Sequence, residues 1–276
     1  MTLPVWHPHP DVWLLFGSIA TVFVIACRRH AERTGDETPA RSKRLFLGGV
    51  ALLWVASDWP VHDLSERYLY SIHMLQHLTF TLVAAPLLVA GTPAWMLRKV
   101  LVWRPVMRTF RFMTRPLVAL IVFNAVLLFT HWPAVVDASV GSELTHFGLH
   151  VLIVASGLVM WWPIVSPLPE LPPLSPPGQM VYLFIQSLVP TIPASFLTFG
   201  QTPLYRAYEA FPRIWGIDVL NDQLIAGLMM KIIGGAILWV VIAVVFFRWG
   251  SRERRDGWDA LQWRDVDREI RAEVTR

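Results

Sequence analysis

Seven apolar stretches, each about long enough to cross a bilayer as a helix, dominate the chain and leave little room for any other architecture. They run over 11–27, 45–62, 70–92, 116–133, 143–165, 179–200 and 222–247. A spanning helix needs roughly 20 mostly apolar residues, because that length at 1.5 Å per residue matches a hydrocarbon core of about 30 Å. Lipid offers the backbone no hydrogen-bonding partner, so runs of this kind satisfy their amides internally as helices. Only 16% of the residues are charged, against about 25% in soluble domains. The mean hydropathy is +0.47, and the 14 Trp suit the belts at the two membrane interfaces. The expected fold is all-α: a polytopic transmembrane bundle of seven spans over 1–250, followed by a charged cytoplasmic tail over 251–276.

The charges between the runs predict the orientation. Of 24 Lys and Arg, twenty fall in the segments 28–44 and 98–115 and in the tail after 247. The alternate segments hold Arg67, Arg206 and Arg213, and Lys231 lies inside the last run. Cytoplasmic loops carry the excess of Lys and Arg, which predicts an external N-terminus and a cytoplasmic C-terminus. The net charge of +4 therefore reports topology rather than affinity for nucleic acid. The first apolar run is followed, not preceded, by basic residues (Arg28 and Arg29), which favours an uncleaved first helix. The loop 166–178 has no basic residue although it should be cytoplasmic, and its six prolines predict an extended path. A re-entrant run on either side of it would lower the number of spans. The tail reads as a short interfacial helix around Trp258 and Trp263.

Nine His are present, and on this topology eight of them fall in the external half; only His30 is cytoplasmic. His73 and His77 are spaced i,i+4 at the start of the third run, so they share one helix face about 6 Å apart. His146 and His150 repeat that spacing in the fifth run, and Asp58 and His62 repeat it in the second. His131 closes the fourth run, and His7 and His9 precede the first. An ionisable group inside a span costs several kcal/mol if it faces lipid, so these side chains are expected to converge inside the bundle. The bland alternative is that isolated His at helix ends only meet headgroups and loops; it fits His7, His9 and His62 better than the paired sets.

Neutral imidazole is the commonest protein ligand for metals. The single Cys27 excludes a thiolate cage, so imidazole with Met or carboxylate points to copper, with zinc or iron open as well. Met74, Met229 and Met230 are candidate soft ligands, although Met residues are more often packing filler. Haem held by two His from different helices is the competing reading. Lys231 lies about 13 Å along the last span from Asp222, at a depth where an ion pair with Asp58 is expected to support the His layer. No arrangement of nucleophile and base, phosphate loop or zinc-protease helix is present, so no enzymatic activity is expected. Ser71 and His73, two residues apart, do not face each other on a helix.

At these residues the chain resembles the polytopic CtaG family of cytochrome c oxidase assembly factors. The resemblance rests on Ser71-Ile-His-Met-Leu-Gln-His77, Ala-Ala-Pro86-Leu-Leu and Gly91-Thr-Pro93 in and after the third run. Asp58, His131-Trp-Pro133 and the pair His146 and His150 add to it. So do Thr198-Phe-Gly-Gln-Thr-Pro-Leu-Tyr205, Asp222-Gln223, Gly227 and Met229-Met230. It implies a multi-pass protein of the bacterial cytoplasmic (inner) membrane that works with oxidase subunits and supplies copper to the oxidase, with a periplasmic copper chaperone as a conceivable source. It also implies His73, His77, His146 and His150 as first-choice ligands, with Asp58, His131 and Asp222 as auxiliary ligands or supporting partners. A scaffold that holds oxidase subunits without metal is the remaining alternative.

Overall fold

Apolar runs become helices at nearly the positions the sequence predicts, and the deviations occur where proline interrupts them. The computed structural model describes residues 4–258 and 263–274, all helical or irregular with no strand among them. Among the described residues, five helices are long and apolar enough to cross a membrane. These are α1 (Pro10–Thr34), α4 (Tyr70–Gly91), α9 (Glu143–Val165), the pair α10 (Pro176–Leu188) and α11 (Thr191–Phe199) taken as one, and α12 (Val219–Leu228 continuing through Gly235–Trp258). Two further crossings arise if each of two bent pairs is one span. The first is α2 (Ala40–Ser57) with α3 (Val61–Arg67), bent by 45°, and the second is α6 (Arg104–Met113) with α7 (Pro116–Thr130), bent by 76°. Short helices α5 (Ala94–Val100) and α8 (Pro133–Val140) lie between these, and α13 (Trp263–Val274) follows α12. Of the expected tail helix around Trp258 and Trp263, Trp258 is the last residue of α12 and Trp263 the first of α13, and residues 259–262 lie outside the described residues.

The breaks have local causes. Pro60 and Pro116 lack the amide a continuing helix would need, and each opens the second member of a bent pair. Pro86 lies inside α4, where its ring crowds the carbonyl one turn back. The preceding segment Thr79–Ala84 is wound as a π-helix, and the indole of Trp161 donates to the Thr81 carbonyl at 2.7 Å. A second π-helical segment, Met229–Gly234, lies in α12 and packs against α4. π-helical turns of this kind recur at functional sites.

Helix packing joins loops into two ends. α2 lies along the second half of α4, α9 packs on α4 and α7, and α12 receives α10 and α11. At one end the ring of His30 stacks on Trp95 with centroids 4.1 Å apart, and Arg98 pairs with Glu170 at 2.8 Å. That pair places the proline-rich loop beside the arginine-rich segment 98–115, although the loop has no basic residue of its own. The guanidinium of Arg98 holds the exposed Glu170 carboxyl below its usual range. At the opposite end Tyr205 donates its hydroxyl to the His131 carbonyl at 2.9 Å. There Gln223 accepts from the amides of Leu204 and Tyr205 and donates to the Tyr205 carbonyl. The lateral faces of the helices expose large apolar side chains such as Leu14, Leu117, Leu144 and Phe196, as lipid contact requires.

Two close approaches need glycine. A Cβ on Gly91 would run into the backbone of Leu45 and Phe46, and one on Gly227 would lie 2.8 Å from the Ala194 carbonyl oxygen. The Gly91-Thr-Pro93 and Gly227 positions are thus points where α4 meets α2 and α12 meets α11.

Candidate metal centre

The end opposite His30 gathers the other eight imidazoles. α4 starts at Tyr70, so its first turns carry His73 and His77 inward; α9 starts at Glu143 and presents His146 and His150 to them. Ring centroids lie 4.2 Å apart for His73 and His77 and 4.1 Å for His146 and His150. Across the two helices they lie 5.4 Å apart for His73 and His150 and 5.1 Å for His77 and His150. Nitrogens of His73, His146 and His150 all fall within 4.8 Å of one another. His131, at the end of α7, stands 6.2 Å from His77 and completes the inner side of the group.

The hydrogen bonding of these rings is incomplete. Buried polar atoms are almost always paired, yet His73 Nδ1, both nitrogens of His77, His146 Nε2, His150 Nε2 and His62 Nδ1 have no hydrogen-bond partner among the described residues. His146 Nδ1 lies 3.1 Å from Ser139 Oγ. Its Nε2 is 3.1 Å from Glu66 Oε1 but out of line for a hydrogen bond. Several orphaned nitrogens converging on one volume are what a set of metal ligands looks like when each ring offers a lone pair. Imidazole nitrogens around a tetrahedral ion stand roughly 3.4 Å apart, given metal–nitrogen bonds of about 2.0–2.1 Å. Rings already within 4.8 Å would have to close by about an ångström or a little more.

Two carboxylates that the sequence reading passed over stand just outside. Asp63 and Glu66 both lie on α3. Asp63 is buried and meets His9 Nε2 at 3.2 Å and His7 Nδ1 at 3.7 Å. Glu66 Oε1 lies 3.3 Å from His62 Nε2 and 3.1 Å from His146 Nε2, so it bridges an outer and an inner imidazole. The spacing His62–Glu66 and Asp63–Arg67, each i,i+4 on one short helix, was the available signal. His7, His9 and His62 thereby join the same end of the protein through side chains and are not spread along an interface.

Other expected members serve elsewhere. Asp58 ends α2 and is occupied by tryptophans: Trp13 Nε1 donates to Oδ2 at 2.7 Å, Trp54 Nε1 at 3.2 Å, and the Trp59 amide to Oδ1 at 2.8 Å. His62 turns to Glu66, so the pairing of Asp58 with His62 does not form. The ion pair of Asp58 with Lys231 is absent too. Lys231 Nζ sits 5.2 Å over the ring of Phe199, close enough for a cation–π contact. Asp222 is fully buried, and its two oxygens accept from the amides of Tyr70 (2.7 Å) and Ser71 (3.0 Å). It caps the helix that bears His73 and His77, replacing the cap that Leu69 cannot supply, and is a positioning group. Met74 and Met230 line a cavity of about 60 Å³ with His77 and His131; Met229 does not line it.

The family profile of the cytochrome c oxidase caa3 assembly factor (Caa3_CtaG) matches residues 21–252. Two uncharacterized mycobacterial proteins, one from Mycobacterium bovis and one from Mycobacterium tuberculosis, are each 24% identical over 243 residues. The matches cover 81% of this chain but 36% of those proteins, so the chain spans about a third of the length of its mycobacterial relatives. No solved structure matches. Of the residues that carry the sequence resemblance, His73, His77, His131, His146, His150, Asp222 and Gln223 populate or support the His-bearing end, while Gly91 sits at the other end of α4 against α2. The chain is a helical membrane protein that belongs to the family of cytochrome c oxidase caa3 assembly factors.

Proposed function

We propose that this chain serves the assembly of a haem–copper cytochrome c oxidase by binding copper in the His cluster and passing it to an oxidase subunit. On this reading the bundle crosses the bacterial cytoplasmic membrane seven times over 1–250. The N-terminus and the His end face outward, and the tail over 251–276 lies in the cytoplasm. A periplasmic copper chaperone is a source suited to that outer face. The ion is cargo, held and released without covalent chemistry.

The observation that supports the reading best is the convergence of His73, His146 and His150, with His77 alongside, each with at least one buried ring nitrogen unpaired. Neutral imidazoles hold copper without the closed thiolate cage that would slow its release. Glu66 and Asp63, with His7, His9 and His62, form an anionic and imidazole-rich approach to the cluster from outside. The asymmetry of Lys and Arg supports the orientation. The test is to purify the protein, load copper, and count ions before and after His73→Ala with His146→Ala. Loss of bound copper is expected; unchanged stoichiometry would sink the site. Deleting the protein should lower copper in the oxidase while its haem stays in place, whereas a purely scaffolding role predicts co-purification with oxidase even after all paired His are replaced.

A further inference from the structure

His131 and Met74 meet at the inner edge of the cluster with Nε2 and Sδ 3.4 Å apart. The other nitrogen decides which tautomer His131 adopts. Its Nδ1 lies 2.7 Å from the Leu127 carbonyl oxygen one turn back, and a carbonyl only accepts, so Nδ1 carries the hydrogen. In a neutral ring Nε2 then has a lone pair and no proton, and the thioether sulfur also offers only lone pairs. Two acceptors therefore face each other, both buried, at 7% and 2% exposure, with no hydrogen between them. Protonating His131 would supply one, but it would place an imidazolium out of water among other imidazoles, and no carboxylate pairs with it among the described residues.

A soft cation between the two atoms satisfies both. With bonds of about 2.0 Å to nitrogen and about 2.3 Å to sulfur, a separation of 3.4 Å gives an angle near the metal of about 105°, close to tetrahedral. A backbone carbonyl on the opposite ring nitrogen is the usual way a protein orients a metal-binding His. Thioether with imidazole selects Cu(I). His77, with both ring nitrogens unpaired and its ring between those of His73 and His131, is in place as third ligand. The adjoining cavity of about 60 Å³, which Met230 also lines, gives the ion room.

We propose that Met74, His131 and His77 form a second metal site, specific for Cu(I) and distinct from the nitrogen-only set of His73, His146 and His150. The choice of copper rests on the function proposed above; the pairing of Met74 with His131 does not. The experiment uses the full-length protein in detergent, titrated with Cu(I) against a competing chelator and, separately, with Cu(II), with X-ray absorption of the Cu(I)-loaded form. A sulfur scatterer at about 2.3 Å is expected, lost in Met74→Leu with at least a tenfold weaker Cu(I) affinity and unchanged Cu(II) binding. Leu keeps the side-chain volume, so the variant should fold. His73→Ala with His146→Ala should leave the sulfur shell in place. Copper bound through nitrogen alone, or Cu(I) affinity indifferent to Met74→Leu, would overturn the second site and spare the first. Failure to bind copper in either oxidation state would overturn both.

Discussion

Asp222→Ala should destabilise the protein by about 3 to 5 kcal/mol and loosen the helix that carries half of the central imidazoles. The magnitude follows from what the carboxylate holds. It is fully buried and accepts from two amides in the first turn of α4, at 2.7 and 3.0 Å. Each amide left unpaired out of water costs about 1–3 kcal/mol, and bonds to a charged acceptor lie at the upper end. The anion also sits at the positive end of the helix dipole. The gain from no longer burying a carboxylate offsets part of this, but removing one member of a buried charged arrangement typically leaves a net cost of this order. Asp222→Asn should cost less than Ala but still about 2 kcal/mol, since one amide would face an NH₂ group. Denaturant unfolding in mixed micelles reads the change as a shifted midpoint at constant slope. His73 lies one turn inside α4, so copper affinity should fall with stability in both variants. A loss below 1 kcal/mol for Asp222→Ala would refute the capping role. Full stability with abolished copper binding would instead make Asp222 a ligand.

Glu66→Gln removes the anion that bridges His62 and His146; it should slow copper loading several-fold in stopped-flow mixing while leaving the final stoichiometry intact. Gly91→Ala forces a methyl group into the backbone of Leu45 and Phe46 and should cost about 1–3 kcal/mol in the same unfolding assay. Lys231→Met trades a cation–π contact with Phe199 for apolar packing; stability should change by no more than about 1 kcal/mol, and copper counted by elemental analysis should be unchanged. A large loss on either measure would reinstate Lys231 as a partner of the His layer.

The two π-helical segments adjoin the cluster. Thr79–Ala84 begins two residues after His77, and Met229–Gly234 contains Met230, which reaches the same cavity. Residues of both segments, Thr81 and Leu82 on one and Met230 and Gly234 on the other, line the cavity beside His77 and His131.

Much of this architecture was legible without coordinates, because its causes are local. A run of apolar residues must fold as a helix in lipid whatever its neighbours do, and the placing of Lys and Arg needs no knowledge of packing. The i,i+4 spacing put His73 beside His77 and His146 beside His150 by helix geometry alone. What tertiary structure alone decided was which group each buried polar atom meets. Asp58, Asp222 and Lys231 all read as members of a His layer, since their depth along a span is local information. Their rotation about the bundle and their nearest neighbours come from residues up to 152 positions away, and those neighbours turned one into an acceptor for indoles, one into a helix cap and one into a cation on an aromatic face. Asp63 and Glu66 entered the site partly for the same reason: helix spacing alone sets Glu66 against His62, but only the tertiary fold sets Asp63 against His9 and Glu66 against His146.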